Sequence, residues 1–170
     1  MKKVLLVTAI KGGMIGSSFA QNKTNWWRQL NDNALTKTGK NVFERNYQPD
    51  AYKVFQLDEI NMAYFLNHTP SIKKTKVAES GSIITVPVSD GTMESFRVVE
   101  FSVMSDELQA KYPDIRAYTG EGITHPGSVI RFDMTPLGFH AMIISPDRKT
   151  IYINPVDREQ KYYIVFDRVS

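Results

Sequence analysis

The sequence predicts an α+β fold: a twisted antiparallel β-sheet with two short helices, preceded by a signal peptide and a polar N-terminal segment. Apolar and polar residues alternate over Ile84–Val88, as in a half-buried strand. Asp90 and Gly91 then supply the positive φ angles of a tight hairpin turn. From Ile115 onwards, strand-like stretches follow one another with short turn signals between them, which favours consecutive antiparallel pairing.

Residues 1–20 have the pattern of a secretory signal peptide. Two lysines form a positive start, a short apolar stretch covers residues 4–10, and small residues precede Gln21. We therefore expect cleavage between Ala20 and Gln21 and export to the periplasm, the cell surface or the extracellular space. Lys11 interrupts the apolar stretch, so a buried first strand is the alternative. After removal of the signal peptide, no segment reaches the ~20 apolar residues that cross a bilayer, and we expect no contact with a membrane.

The distribution of charge argues against a nucleic-acid partner. The chain has 21 basic and 18 acidic residues, but its first 20 residues contain three lysines and no acidic residue. The remainder is therefore balanced, with both signs interspersed. Binding to nucleic acid requires a concentrated basic face. The nearest approach, Lys73–Lys76, is interpreted as a solvated loop.

The chain divides into a lead-in and a domain. Residues 21–48 form a polar, partly ordered lead-in, and residues 49–170 form the β-rich domain. Two adjacent exposed indoles would be unfavourable, so we expect one of Trp26 and Trp27 to be buried and the pair to contact the domain or a partner. An apolar strand close to Ser170 has no closing element after it, which suggests a piece of a longer polypeptide.

The elements of the domain are predicted in chain order. A strand over residues 52–57 precedes a helix that Asp58 caps and Pro70 ends. After the hairpin turn the chain returns as a strand over Phe96–Val103, and Ser105 caps a second short helix. Ile60, Ala63, Tyr64 and Leu66 lie at helical spacing in the first helix, and the later strands are predicted at Ile115–Tyr118, Val129–Met134, Gly138–Ile144, Thr150–Ile153 and Tyr162–Phe166.

No catalytic centre is predicted. The three histidines, His68, His125 and His140, do not form the i, i+4 helical pair of a zinc hydrolase. His140 is predicted on the strand face opposite Phe139, with a backbone partner. Cysteine is absent, which removes disulfides and thiolate ligands. We expect no metal, no cofactor and no enzymatic activity, although a site built from paired carboxylates is an open alternative.

The segment from Tyr118 to Ile123 contains the most accessible candidate for contact with a partner. Glu121 stands between two glycines, which predicts an exposed turn between strands. A second interpretation is that its carboxylate is presented to a cation on a partner, since zinc accepts carboxylate oxygen.

Several stretches, taken in their order and spacing, resemble the N-terminal propeptide region of secreted bacterial reprolysin-like metalloproteases, which are metzincins. The resemblance covers most of residues 49–168. It rests on Phe96–Glu100, on the helix that ends in Lys111-Tyr112-Pro113-Asp114, on Ile115–Gly122, on Ile130–Met142 and on Ile151–Pro155.

The resemblance implies a non-catalytic propeptide that assists folding and keeps a zinc protease latent, with the cognate catalytic domain as its partner in cis or in trans. The zinc-binding helix of that domain is absent from this chain, and so no catalytic residue is transferred. Glu121, with Asp114 in reserve, is the candidate contact with the partner's zinc. The alternative is a cell-surface recognition or adhesion module that uses Trp26, Trp27 and the tyrosines. The oligomeric state is not predicted.

Overall fold

The computed structural model describes residues 25–31, 35, 49–147, 150–157 and 159–168. The predicted signal peptide, with its cleavage site between Ala20 and Gln21, and most of the polar lead-in lie outside these residues. Within the described ranges, no helix has the length and apolar character needed to span a membrane.

The described residues form one nine-stranded antiparallel sheet with two short helices, which confirms the predicted fold class. The helices are α1 (Glu59–Leu66) and α2 (Asp106–Lys111), and a 3₁₀ turn covers Val77–Glu79. The strands are β1 (Trp27–Leu30), β2 (Lys53–Leu57), β3 (Ile83–Pro87), β4 (Met93–Glu100), β5 (Arg116–Gly122), β6 (Val129–Thr135), β7 (Gly138–Ile144), β8 (Ile151–Pro155) and β9 (Tyr162–Asp167).

The strand order is β1-β2-β9-β8-β7-β6-β5-β4-β3, with every neighbouring pair antiparallel. Because the number of strands in this order is odd, the two edge strands β1 and β3 run in the same direction. The sheet curls until these edges approach: a Cβ atom added at Gly91, just after β3, would lie 3.3 Å from Gln29 Nε2 on β1. The architecture is therefore close to a barrel.

The inner face of the curled sheet forms the main hydrophobic core, because alternate residues of each strand point inward. All nine strands supply side chains of this core that are at most 6% exposed, among them Trp27, Phe55, Leu57, Ile84, Val86, Phe96, Val98, Tyr118, Ile130, Phe132, Phe139, Ile143, Ile153 and Val165.

Helix α1 packs on this core through Met62 and Leu66, which are one helical turn apart and fully buried. Asp58 caps the helix as predicted, since its side chain accepts a hydrogen bond from Asn61 N at 3.2 Å. Ile60 and Tyr64 also lie at helical spacing, but they are 84% and 69% exposed. Of the four residues predicted at helical spacing, Leu66 and Ala63 therefore contact the core, whereas Ile60 and Tyr64 face solvent.

The first strand lies in the segment that was predicted as a polar lead-in. β1 pairs with β2 in the register Trp27↔Leu57. Trp26 and Trp27 are only 8% and 4% exposed. The ring of Trp26 lies 5.1 Å from that of Phe65, and the ring of Trp27 lies 5.2 Å from that of Tyr163. Both indoles, not one, belong to the core.

The hairpin between β3 and β4 differs from the prediction in detail. Gly91 has φ of 91°, whereas Asp90 is not in the positive-φ region and instead accepts a hydrogen bond from Thr92 N at 2.8 Å. The returning strand is Met93–Glu100, earlier in the chain than Phe96–Val103. Beyond Glu100 the chain leaves the ladder and leads to α2, where Ser105 caps the helix as predicted, accepting from Leu108 N at 3.3 Å.

Candidate functional site

An open groove lies on the outer face of the sheet, across β5 to β8, and has a volume of about 460 Å³. One wall comes from the segment that follows β4, and the other comes from β8. We call this surface the outer-face groove and define it by Phe101, Val103, Arg131, Asp133, His140, Met142, Tyr152 and Asn154.

The register of the sheet places the groove side chains in two cross-strand rows. In the first row Arg131 is opposite Thr119 on one side and Met142 on the other, and Met142 is opposite Tyr152. In the second row Asp133 is opposite His140. Directly opposed residues of an antiparallel pair have neighbouring side chains, so that each row is a continuous surface.

The floor of the groove contains a histidine and a carboxylate in contact, and both side chains are partly exposed. His140 Nδ1 lies 3.3 Å from Asp133 Oδ1, on the next strand. The prediction that His140 faces away from Phe139 is confirmed, since Phe139, Ala141 and Ile143 are buried on the inner face. The observed partner of His140 is a carboxylate, however, and not the predicted backbone group, because its cross-strand neighbour is an aspartate.

Arg131 is the cation of the floor. Its guanidinium carbon lies 5.8 Å from the centre of the Phe101 ring. No carboxylate within the described part of the chain comes within 4.0 Å of this guanidinium. A guanidinium held on an aromatic face, with its N–H groups not occupied by an anion, is suited to bind a carboxylate in a planar, two-bond arrangement.

The walls of the groove are apolar and held by packing. Tyr152 stacks on Phe166 with ring centres 5.8 Å apart, and both belong to a second hydrophobic cluster on this face of the sheet with Val156 and Ile164. On the opposite side, Val103 is 75% exposed. The groove thus combines apolar walls with a charged floor, an arrangement that ligand and peptide sites use for affinity and orientation.

Glu121 lies within β5, so the predicted turn between strands is wrong. It is opposite Arg97 and Val129 and is exposed on the outer face. The glycines beside it serve close packing: a Cβ atom at Gly120 would lie 2.6 Å from Val98 Cγ1, and one at Gly122 would lie 2.3 Å from His125 O. Their small size made the segment resemble a turn.

Glu121 is a diagonal neighbour of Arg131 on the same face, because Arg131 lies two residues beyond its partner Val129. Asp114, the reserve candidate, is exposed in the turn before β5. The two carboxylates are seven positions apart, and most of this segment is the extended strand β5, so that they are separated by about 20 Å. The structure therefore places Glu121 beside the outer-face groove and does not bring Asp114 to it.

The other histidines have separate partners. His68 Nδ1 lies 2.8 Å from Tyr64 O at the end of α1, and His125 Nε2 lies 2.9 Å from Asp147 Oδ1. In the described ranges no three His, Asp or Glu side chains are arranged to hold a metal ion.

The predicted role of Trp26 and Trp27 as a contact surface for a partner is not supported, since the fold needs both indoles in its interior. Apart from His140, the residues that build the groove were not singled out from the sequence. The available signal was the alternation of β6, where Arg131 and Asp133 interrupt the apolar residues Ile130, Phe132 and Met134.

Comparisons of the chain with protein-family models, with curated protein sequences and with solved structures find no match.

Proposed function

We propose that this chain is the non-catalytic propeptide of a secreted zinc metalloprotease and that it binds the cognate catalytic domain through the outer-face groove. In this role it assists folding of the catalytic domain and keeps it latent until cleavage. The chain itself transforms no substrate, and it needs no cofactor.

The observation that carries the proposal is the position of the groove. Its floor and one wall are formed by β6, β7 and β8. These strands cover the stretches Ile130–Met142 and Ile151–Pro155, on which the resemblance to metalloprotease propeptides rests. An open surface with apolar walls and a charged floor is suited to a protein partner, because apolar contact supplies affinity and charge fixes the orientation.

Within this complex, Glu121 is the residue that reaches the partner's zinc. Its carboxylate is exposed and lies on the same face of the sheet as Arg131, two residues along β5 from Thr119, the residue opposite Arg131. A catalytic domain bound in the groove would therefore also cover Glu121. Carboxylate oxygen is an accepted zinc ligand. Asp114 is the weaker candidate because it lies in the turn before β5, whereas Glu121 lies near the other end of this strand.

Export completes the proposal. We infer that a signal peptidase cleaves between Ala20 and Gln21 and that the protein acts outside the cytoplasm. Mass spectrometry of the protein recovered from the periplasm or the medium would give an N-terminal residue of Gln21. An intact Met1 on protein that remains in the cytoplasm would contradict export.

The test of function is inhibition of the mature metzincin protease from the same source by the purified chain. We expect hydrolysis of a fluorogenic peptide to stop at micromolar chain. Glu121→Gln should weaken inhibition, and Glu107→Gln, an exposed glutamate on α2, should leave it unchanged. Full protease activity in excess chain would refute the latency role. Equal inhibition by the Glu121→Gln variant would refute the zinc contact alone.

A further inference from the structure

The outer-face groove has a distribution of charge that selects among partner segments. The carboxylate in the groove, Asp133, lies against His140, with Oδ1 3.3 Å from Nδ1, and not against Arg131. Arg131 has no carboxylate of the described residues within 4.0 Å, although Glu121 is its diagonal neighbour. The groove therefore offers a cation for which the described residues provide no counter-ion.

The guanidinium of Arg131 is also held in position. Phe101, whose ring lies 5.8 Å below it, is fixed to β5 by a hydrogen bond from its backbone N–H to Ala117 O at 2.8 Å. An arginine stacked on an aromatic ring loses little side-chain freedom on binding an anion, and its N–H groups lie in one plane that matches a carboxylate.

Apolar side chains surround this cation. Val103 is 75% exposed on one side of the groove, and Met142 and Tyr152 continue the Arg131 row on the other. A bound segment would therefore place a carboxylate on Arg131 and a large aliphatic side chain against the apolar wall.

We propose that the outer-face groove binds an extended acidic segment of a protein partner, in which an Asp or Glu side chain pairs with Arg131 and an adjacent aliphatic side chain packs against Met142 and Tyr152. This inference rests on the proposed function for the identity of the partner, but the chemistry of the segment follows from the groove alone.

The experiment titrates the isotope-labelled full chain with three small probes, followed by ¹H–¹⁵N NMR. The probes are N-acetyl-Leu-Glu-amide, its glutamine analogue N-acetyl-Leu-Gln-amide, and N-acetyl-leucine, whose carboxylate is terminal. We expect saturable shifts on β6 and β7 with the glutamate probe, about tenfold tighter than with the glutamine probe, as one charge-assisted hydrogen bond provides. The difference should shrink as salt is raised, because the pair is exposed.

Variants locate the effect. Arg131→Gln should abolish the preference for glutamate over glutamine, and Arg131→Lys should keep part of it, since it retains charge without the planar donors. Arg28→Gln, an exposed arginine on β1, is the matched control and should change nothing. The spectrum of each variant without probe shows whether it is folded.

Equal affinity for the glutamate and glutamine probes, or a preference that survives Arg131→Gln, would overturn the inference. N-acetyl-leucine binding at least as tightly as the glutamate probe would overturn its assignment to an acidic side chain. If the glutamate probe fails while the chain still inhibits the protease, the inference falls and the proposed function stands. If the probe binds at Arg131 and the protease is not inhibited, the inference stands and the proposed function falls.

Discussion

The hydroxyl of Tyr118 on β5 donates a hydrogen bond to the carbonyl oxygen of Leu66, the last residue of α1, over 3.3 Å. The Tyr118 ring stacks on Phe132 of β6, with ring centres 4.9 Å apart. One side chain thus connects the end of α1 to the strands that carry the outer-face groove, and burial raises the pKa of its phenol to about 12.

Tyr118→Phe should lower the free energy of unfolding by about 1 kcal/mol, because it removes the buried hydrogen bond from the phenol to the Leu66 carbonyl, which then accepts only from Thr69 N at 3.0 Å. Urea unfolding followed by circular dichroism measures the change. Tyr112→Phe is the matched control, since Tyr112 is exposed at the end of α2. An unchanged midpoint for Tyr118→Phe would show that the hydrogen bond contributes nothing to stability.

The raised pKa of Tyr118 predicts a loss of stability in alkaline solution. The phenol ionises in the unfolded chain near pH 10 but in the folded protein only near pH 12. In the folded protein the Tyr118 phenol therefore keeps its proton to a higher pH than in the unfolded chain. The stability that this difference contributes is complete below pH 10 and falls as pH rises towards 12. Between these values the wild type should lose stability more steeply than Tyr118→Phe, as pH-dependent urea unfolding would show. If the wild type and Tyr118→Phe lost stability equally with rising pH, the raised pKa of Tyr118 would be contradicted.

Glu59 predicts a pH effect in the acidic range. Partial burial, and then the negative charge of Asp157, raise the pKa of Glu59 above its ordinary value. Ionisation of the Glu59 carboxyl therefore lowers the free energy of unfolding as the pH rises through its raised pKa. Glu59→Gln should be stabilising at pH 7, by less than about 1 kcal/mol because the group is partly exposed, and should show no gain at pH 3. Thermal unfolding at the two pH values tests this, and a gain independent of pH would contradict it.

Gly120 in β5 should not tolerate a larger side chain. A Cβ atom there would lie 2.7 Å from Arg97 O, a backbone atom that cannot move freely, as well as 2.6 Å from Val98 Cγ1. Gly120→Ala should cost about 2–3 kcal/mol, as overpacking of a core does. Gly81→Ala is the control, because a Cβ atom at Gly81 would meet nothing within 4 Å. Equal unfolding midpoints for the two variants would show that the sheet relaxes around Gly120.

The sequence predicted the strands of the second half of the domain because their alternation and turn residues are local signals. Gly138–Ile144 agrees with the prediction at both ends, and the face of His140 is correct. The predicted consecutive antiparallel pairing is confirmed for β5 to β9, whereas the residue-by-residue register was not predicted. Asp133 becomes the partner of His140 only through the register of β6 against β7, which no residue of either strand specifies by itself.

Three differences have physical causes in tertiary packing. β1 was not predicted because Arg28 and Gln29 are polar and exposed, and Trp27 is the only residue of this strand that is fully in the core. On α1 the sheet contacts Met62 and leaves Ile60 in solvent, although helical spacing allowed either. Around Glu121 the glycines suggested a turn, whereas in the structure they make room for neighbouring strands.

The most direct test of the account is the response of two methionine methyl groups to the catalytic domain of the cognate metalloprotease. Met142 lines the outer-face groove, while Met62 is fully buried on the face of α1 that packs on the core. With ¹³C-methyl-labelled methionine in the full chain, we predict that saturating catalytic domain shifts or broadens the Met142 signal and leaves the Met62 signal in place. A bound complex in which the Met142 signal does not change would contradict docking at the groove, and the absence of any complex would contradict the propeptide role.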